Sequence, residues 1–201
     1  MKIVSAHFTV SAPDLKSCPP PTRPEFAFIG RSNVGKSSLI NLLAARSSLA
    51  KVSDTPGKTK LINFFSINDA WTLVDLPGYG YAKVGQQDRL DFNEAVADFL
   101  ESRETVLGVF VLIDSRHPPQ RLDLEFIRWL EDCATPYVLV FTKTDKQSAA
   151  RTQENIELFK QSIAEWRSEL PAIFSTSVKT KSGRSEILRF IEQTLKTHKG
   201  A

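Results

Sequence analysis

The stretch Gly30-Arg31-Ser32-Asn33-Val34-Gly35-Lys36-Ser37 constrains this chain more than any other, because it fits the pattern G-x-x-x-x-G-K-[ST]. The apolar run Phe26–Ile29 leads into it, and Ser37–Ala45 follows with helical spacing. A strand, a glycine-rich turn and a helix in that order converge backbone N–H groups and the positive end of a helix on one point. The glycines let the main chain curl without obstruction by a Cβ. Such a loop suits phosphate. Gly30 to Ser38 are the expected contacts, with Lys36 reaching the β- and γ-phosphates and the Ser37 hydroxyl on Mg²⁺.

The rest of the chain repeats the alternation. Strands are predicted at Leu61–Ile67, Trp71–Val74, Val106–Ile113, Tyr137–Phe141 and Ala172–Ser175. Helices are predicted at Gln86–Arg103, Arg121–Cys133, Gln153–Glu169 and Ser185–Thr197. Asn68-Asp69 reads as a hairpin turn, so the Leu61–Val74 hairpin is expected to add one antiparallel edge strand. The continuous apolar run Val106–Ile113 is typical of a strand buried on both faces. The predicted fold is α/β, a mostly parallel mixed sheet of six or seven strands with helices on both faces. Residues 1–24 read as an N-terminal extension, with a candidate edge strand at Ala6–Val10 and a proline cluster (Pro19, Pro20, Pro21, Pro24). Residues 25–201 read as the nucleotide-binding domain.

Ligands of such sheets bind outside the carboxyl ends of the strands, and the remaining motifs sit there. Asp75-Leu76-Pro77-Gly78 closes the strand Trp71–Val74. Asp75 is expected to hold Mg²⁺ through water, and the Gly78 N–H to approach a γ-phosphate. Gly78, Gly80 and Gly85 punctuate a stretch suited to sensing the nucleotide. Between this motif and the first, Asp54-Thr55-Pro56-Gly57-Lys58-Thr59 precedes Lys60 and Leu61. Thr59 is expected to coordinate Mg²⁺ when γ-phosphate is present, with Thr55 the alternative. The catalytic set is then Lys36, Thr59 and Gly78. Thr142-Lys143-Thr144-Asp145 follows the strand Tyr137–Phe141. The Asp145 carboxylate can accept two hydrogen bonds from the N1 and N2 edge of guanine, a donor pair that adenine lacks. Lys143 can lie along the base and brace the phosphate loop. Ser175-Thr176-Ser177-Val178 closes the last strand, with the Val178 N–H a donor for guanine O6.

Composition limits the partners. The net charge of +3 and pI near 8.9 are milder than a dedicated nucleic-acid binder shows, so no DNA partner is expected. Lys179, Lys181, Arg184, Arg189, Lys196 and Lys199 give the C-terminus a basic bias, read either as a solvated helix face or as an attraction to RNA. No apolar run approaches the roughly 20 residues of a membrane span, and Cys18 and Cys133 read as reduced thiols. A cytoplasmic monomer is expected.

These motifs resemble the EngB (YihA/YsxC) GTPases, bacterial ribosome-biogenesis factors among the TrmE-Era-EngA-EngB-Septin-like GTPases. The resemblance rests on Phe26–Asn41, Thr55–Thr59, Leu73–Ala82, Ile113–Arg116 and Thr142–Lys146, and Pro77-Gly78-Tyr79-Gly80-Tyr81-Ala82 is its most specific string. It implies a GTPase using GTP/GDP and Mg²⁺, and assembly of the large ribosomal subunit or its precursor, with its rRNA and proteins. It also implies a link to septation. Thr142, where most GTPases carry asparagine, is typical of this family. Where Ras-like enzymes place a water-orienting glutamine this chain has Tyr79, read as a hydrophobic substitution or as a replacement. Slow intrinsic hydrolysis is therefore expected. In related GTPases an asparagine at the position of Asn33 helps ligate K⁺, which implies K⁺-stimulated turnover. Arg31 is a second candidate for charge stabilisation, against a place in solvent or a surface ion pair. The competing readings are a GTP/GDP-dependent docking module with negligible hydrolysis, and an ATP-dependent kinase, which Asp145 disfavours.

Overall fold

A computed structural model describes residues 1–50, 61–79 and 86–200. The strands among these are β1 (Ala6–Ala12), β2 (Glu25–Gly30), β3 (Ile62–Ile67), β4 (Trp71–Asp75), β5 (Val106–Asp114), β6 (Tyr137–Thr142) and β7 (Ile173–Ser175). The helices are α1 (Lys36–Ala44), α2 (Gln86–Ser102), α3 (Arg121–Asp132), α4 (Ala149–Ala164) and α5 (Arg184–Lys199). One sheet contains every strand, in the order β1-β3-β4-β2-β5-β6-β7. From β4 through β7 the strands are parallel, while β3 runs antiparallel to both β1 and β4.

Side-chain alternation in the central strands explains their unbroken apolar sequence. Phe26 and Phe28 of β2, Phe110 and Leu112 of β5, and Val138 and Val140 of β6 share a core with Leu39, Ile40 and Leu43 of α1 and Ile187, Leu188 and Ile191 of α5. The intervening residues, Ala27 and Ile29, Val109 and Val111, and Leu139 and Phe141, pack with Phe99 of α2, Ile127 and Leu130 of α3, and Phe159 and Ile163 of α4. A strand covered on both faces has no solvent side, so its sequence carries no polar alternation.

The hairpin differs from its sequence reading in one respect. Asn68 and Asp69 form its turn with φ of 53° and 50°, the conformation that matches the twist of the flanking strands. Yet β3 is an inner strand, because β1 pairs along it and takes the edge. The register shift between Phe8 and Val10 marks a bulge, common on edge strands. The proline segment is fastened to the domain by Arg103, which donates to Glu25 Oε2 (2.6 Å) and Oε1 (2.8 Å) and to the Pro19 carbonyl (2.7 Å).

Helix α4 occupies Ala149–Ala164 rather than the predicted Gln153–Glu169. Ser148 caps it, accepting from the Arg151 N–H at 3.2 Å. Its end comes early because the Trp166 and Arg167 N–H groups both turn back to the Ile163 carbonyl. No helix among the described residues is long and apolar enough to cross a membrane.

Candidate functional site

The site is assembled at the carboxyl ends of β2, β4, β5, β6 and β7. Gly30 ends β2 hard against β5, where a Cβ would come within 2.7 Å of the Leu112 carbonyl oxygen. The chain then reverses. Val34 donates to the Arg31 carbonyl at 3.2 Å, Asn33 has φ of 60°, and Gly35 has φ of 103°. Val34 turns inward and is buried, while Ser32 and Asn33 remain exposed. Gly35 is the N-cap of α1 and offers no side chain, so no side-chain acceptor caps the first turn of Lys36, Ser37 and Ser38. An uncapped helix start behind a curled loop is a fit for phosphate oxygens.

The second motif meets the first directly. The Leu76 N–H bonds to the Phe28 carbonyl at 3.0 Å, carrying the β2–β4 pairing one step beyond Asp75. Pro77 follows, and Gly78 then lies so close to the loop that a Cβ on it would fall 2.4 Å from the Gly30 carbonyl oxygen. The sequence assigned Lys36 to phosphate and Asp75 to metal. In the structure Lys36 Nζ is hydrogen-bonded to Asp75 Oδ1, both side chains being largely buried. Among the described residues no group of three or more His, Cys, Asp or Glu gathers to hold a metal. Among the described residues the Ser37 hydroxyl and the Asp75 carboxylate are the donors expected for Mg²⁺, a set that suits an ion that keeps several waters. Gly57, Lys58, Thr59 and Lys60 lie outside the described residues, as do Thr55, Gly80 and Gly85, while Leu61 is exposed beside β3.

The base side is tied to the phosphate side by side chains. Thr142 Oγ1, at the end of β6, donates toward the Val34 carbonyl (2.6 Å), with the Ile113 carbonyl at 3.2 Å. Lys143 (φ 60°) donates to the Asn33 carbonyl at 2.6 Å and to Asp114 Oδ2 at 2.8 Å. Thr144 reaches across to β7, its N–H and Oγ1 bonding the Thr176 carbonyl at 3.2 and 3.1 Å. Ser177 Oγ donates to Asp145 Oδ1 at 2.6 Å, which lowers the Asp145 pKa and keeps the group ionised. Asp145 Oδ2 is shielded from solvent and has no hydrogen-bond partner among the described residues. A shielded, unpaired carboxylate oxygen is costly unless a donor is delivered to it. Guanine N1–H and N2–H₂ are donors of that kind, so the residues present fit the base. Thr176 and Ser177 are buried, while Ser175 and Val178 are exposed at the rim.

Two acids of the site carried no role in the sequence reading. Asp114 closes β5 and accepts from Arg116 (2.9 and 2.7 Å) as well as from Lys143. Burial raises its pKa, but these hydrogen bonds outweigh burial and hold it well below the usual carboxylate range. Asp123, in the first turn of α3, accepts from the Tyr79 hydroxyl at 2.9 Å. It borders a cavity of about 180 Å³ with Arg31, His117 and Gln120. The position of each, ending a buried strand or opening the next helix, was the available signal.

Burial pushes the Asp123 carboxyl up to about 6. Tyr79, Arg31 and His117 pull it down, and Asp114 pushes it further up. The folded chain therefore holds this proton more tightly than the unfolded chain does. Asp123 stabilises the fold most below about pH 4, and that contribution is lost as pH rises through about 6. Asp123→Asn should gain stability on the parent chain between pH 4 and 7.5, by up to about 3 kcal/mol. Urea titrations at both pH values measure the difference, and a constant offset would contradict it.

The sheet order, the glycine loop after β2 and the paired loops after β6 and β7 define a P-loop GTPase domain. Residues 25–143 match the family model described as "50S ribosome-binding GTPase". A curated protein of Porphyromonas gingivalis, "Probable GTP-binding protein EngB", is 50% identical over 192 residues, covering 96% of each chain. A protein of the same description from Bacteroides thetaiotaomicron is 50% identical over 196 residues, covering 98% of this chain and 97% of that one. The crystal structure of a probable GTP-binding protein engB has the same fold, with a TM-score of 0.70 at 20% identity over 86% of this chain and 99% of that one. The chain belongs to the EngB family of GTP-binding proteins.

Proposed function

We propose that the chain binds GTP with Mg²⁺, hydrolyses it to GDP, and acts in the cytoplasm as a nucleotide-controlled assembly factor of the large (50S) ribosomal subunit. The link to septation is part of the same family reading. The observation that carries guanine binding is the shielded, unpartnered Oδ2 of Asp145, on a loop fastened to the phosphate loop by Thr142 and Lys143. The ribosomal partner rests on the family description.

In this reading Asp145 takes the N1 and N2 edge of the base and the exposed Val178 offers its N–H to O6. The N–H groups from Arg31 to Ser38 surround the phosphates. Lys36 would leave Asp75 for the β- and γ-phosphates, while Asp75 and the Ser37 and Thr59 hydroxyls would hold Mg²⁺. Each partner of the Lys36–Asp75 pair then regains an opposite charge, so neither is left buried alone. Mg²⁺ supplies charge neutralisation on the phosphoryl oxygens. Gly78 presents its N–H to the γ-phosphate, where no side chain intervenes. Asn33 is exposed within the phosphate loop and suits K⁺. There the ion's charge would offset what develops on the transferred group.

The competing reading, a docking module with negligible hydrolysis, draws on Tyr79. Its hydroxyl is committed to Asp123 and its ring is buried, stacked on Phe126 at a centroid distance of 4.5 Å. It does not replace a water-orienting amide. One experiment separates the two: single-turnover GTP hydrolysis in KCl or in NaCl, with and without large ribosomal subunits, beside co-sedimentation in GDP or a non-hydrolysable GTP analogue. We expect a slow basal rate, a rise of tenfold or more with K⁺ or subunits, and analogue-dependent co-sedimentation. Equal rates in both salts would remove the K⁺ role. No turnover under any condition, with sedimentation intact, would favour the docking module.

A further inference from the structure

We propose that Tyr79 and Asp123 are a positioning pair that holds Gly78 where a third phosphate can meet its N–H, so that they set the preference for GTP over GDP. The proposal rests on the guanine-nucleotide reading above and assigns it a pair of residues that touch no nucleotide.

The geometry is that of a short chain held at both ends. At one end the Leu76 N–H is fixed to the Phe28 carbonyl at 3.0 Å, continuous with the β2–β4 ladder. At the other, the Tyr79 hydroxyl donates to Asp123 Oδ1 at 2.9 Å and its ring stacks on Phe126, the two acceptor surfaces lying on one helix, α3. Only Pro77 and Gly78 lie between these fixed points. Proline fixes its own φ, and Gly78 is already against the Gly30 carbonyl. The backbone that must face a γ-phosphate is thus ordered in advance. Fixing a residue's backbone costs conformational entropy, which binding would otherwise have to meet. The bond is worth keeping: burial raises the Tyr79 hydroxyl well above its ordinary pKa, the nearby Asp123 charge adds to the rise, and the group remains a donor.

GDP has no third phosphate and gains nothing from an ordered Gly78. The pair should therefore act on one nucleotide only. Asp123 is 3% exposed and Tyr79 7%, so their contact with each other is direct and largely protected from water.

The test uses the full chain with Tyr79→Phe, which keeps the ring on Phe126 and removes only the hydroxyl. Dissociation constants for GDP and for a non-hydrolysable GTP analogue, both with Mg²⁺, are measured by calorimetry beside a thermal melt. We expect analogue affinity to fall about fivefold with GDP affinity unchanged. Asp123→Asn retains a neutral acceptor and should shift the same ratio in the same direction by a smaller factor. An unchanged ratio in both variants, an equal loss for both nucleotides, or tighter analogue binding would overturn the proposal. A parent chain that binds neither nucleotide would overturn the guanine-nucleotide reading and this proposal with it.

Discussion

Asp145→Asn is expected to weaken GTP binding by about 10²- to 10⁴-fold, the effect of replacing one of two charge-assisted acceptors by a donor. Asp145 Oδ1 is held by Ser177 at 2.6 Å, and Oδ2 stands shielded and unpaired. An asparagine keeps the shape but presents an NH₂ where guanine N2 also presents one, and two donors facing each other repel. Xanthine carries a carbonyl at that position, so xanthosine triphosphate should gain where GTP loses. Asp145 lies at the part-exposed end of the site and not in the core, so the melt should move little. Competition binding with GTP, ATP and xanthosine triphosphate gives the answer. Retention of parent-like GTP affinity would remove Asp145 from the base site.

Lys36→Met should both destabilise the chain and remove most of its affinity for GTP. The Lys36 and Asp75 side chains are 11% and 6% exposed, so the substitution leaves a carboxylate nearly buried and without its partner. Breaking such a pair from one side costs about 3–5 kcal/mol. Asp75→Asn in the same chain should restore most of that stability, because no charge then remains to be compensated. Nucleotide affinity should stay at least about 10- to 100-fold down in the double variant, since the lysine proposed to reach the phosphates and the carboxylate proposed to hold Mg²⁺ are then both missing. Denaturant titration and nucleotide binding on the two variants resolve the two roles. If Lys36→Met alone melted like the parent chain, the pair would carry no structural weight.

Much of the site was legible because its chemistry is local. Gly30 to Ser38 need only a strand, a curled loop and a helix in succession, and those are written in adjacent residues. Asp75 and the Thr142–Asp145 loop each follow a short segment read as a strand, so their place at the carboxyl end of the sheet followed. The limits of α4 were less legible. The Ser148 cap and the early turn back to the Ile163 carbonyl are hydrogen-bond choices that apolar spacing does not record. The hairpin was read correctly as a hairpin and Ala6–Val10 as an edge strand, but β3 was also taken for an edge and lies inside, beside β1. Which strand ends at an edge depends on a pairing between segments distant in sequence.

The sequence by itself determined the glycine loop after β2, the loop proposed to read guanine and the alternating strand-helix order, because each rests on spacing within a short segment. Only the tertiary structure decided that Thr142 and Lys143 fasten the base loop to Val34 and Asn33. It alone paired Lys36 with Asp75 and sent the Tyr79 hydroxyl to Asp123. These contacts join residues far apart along the chain. Which of them form depends on how the sheet stacks its strand ends, and no local periodicity encodes that.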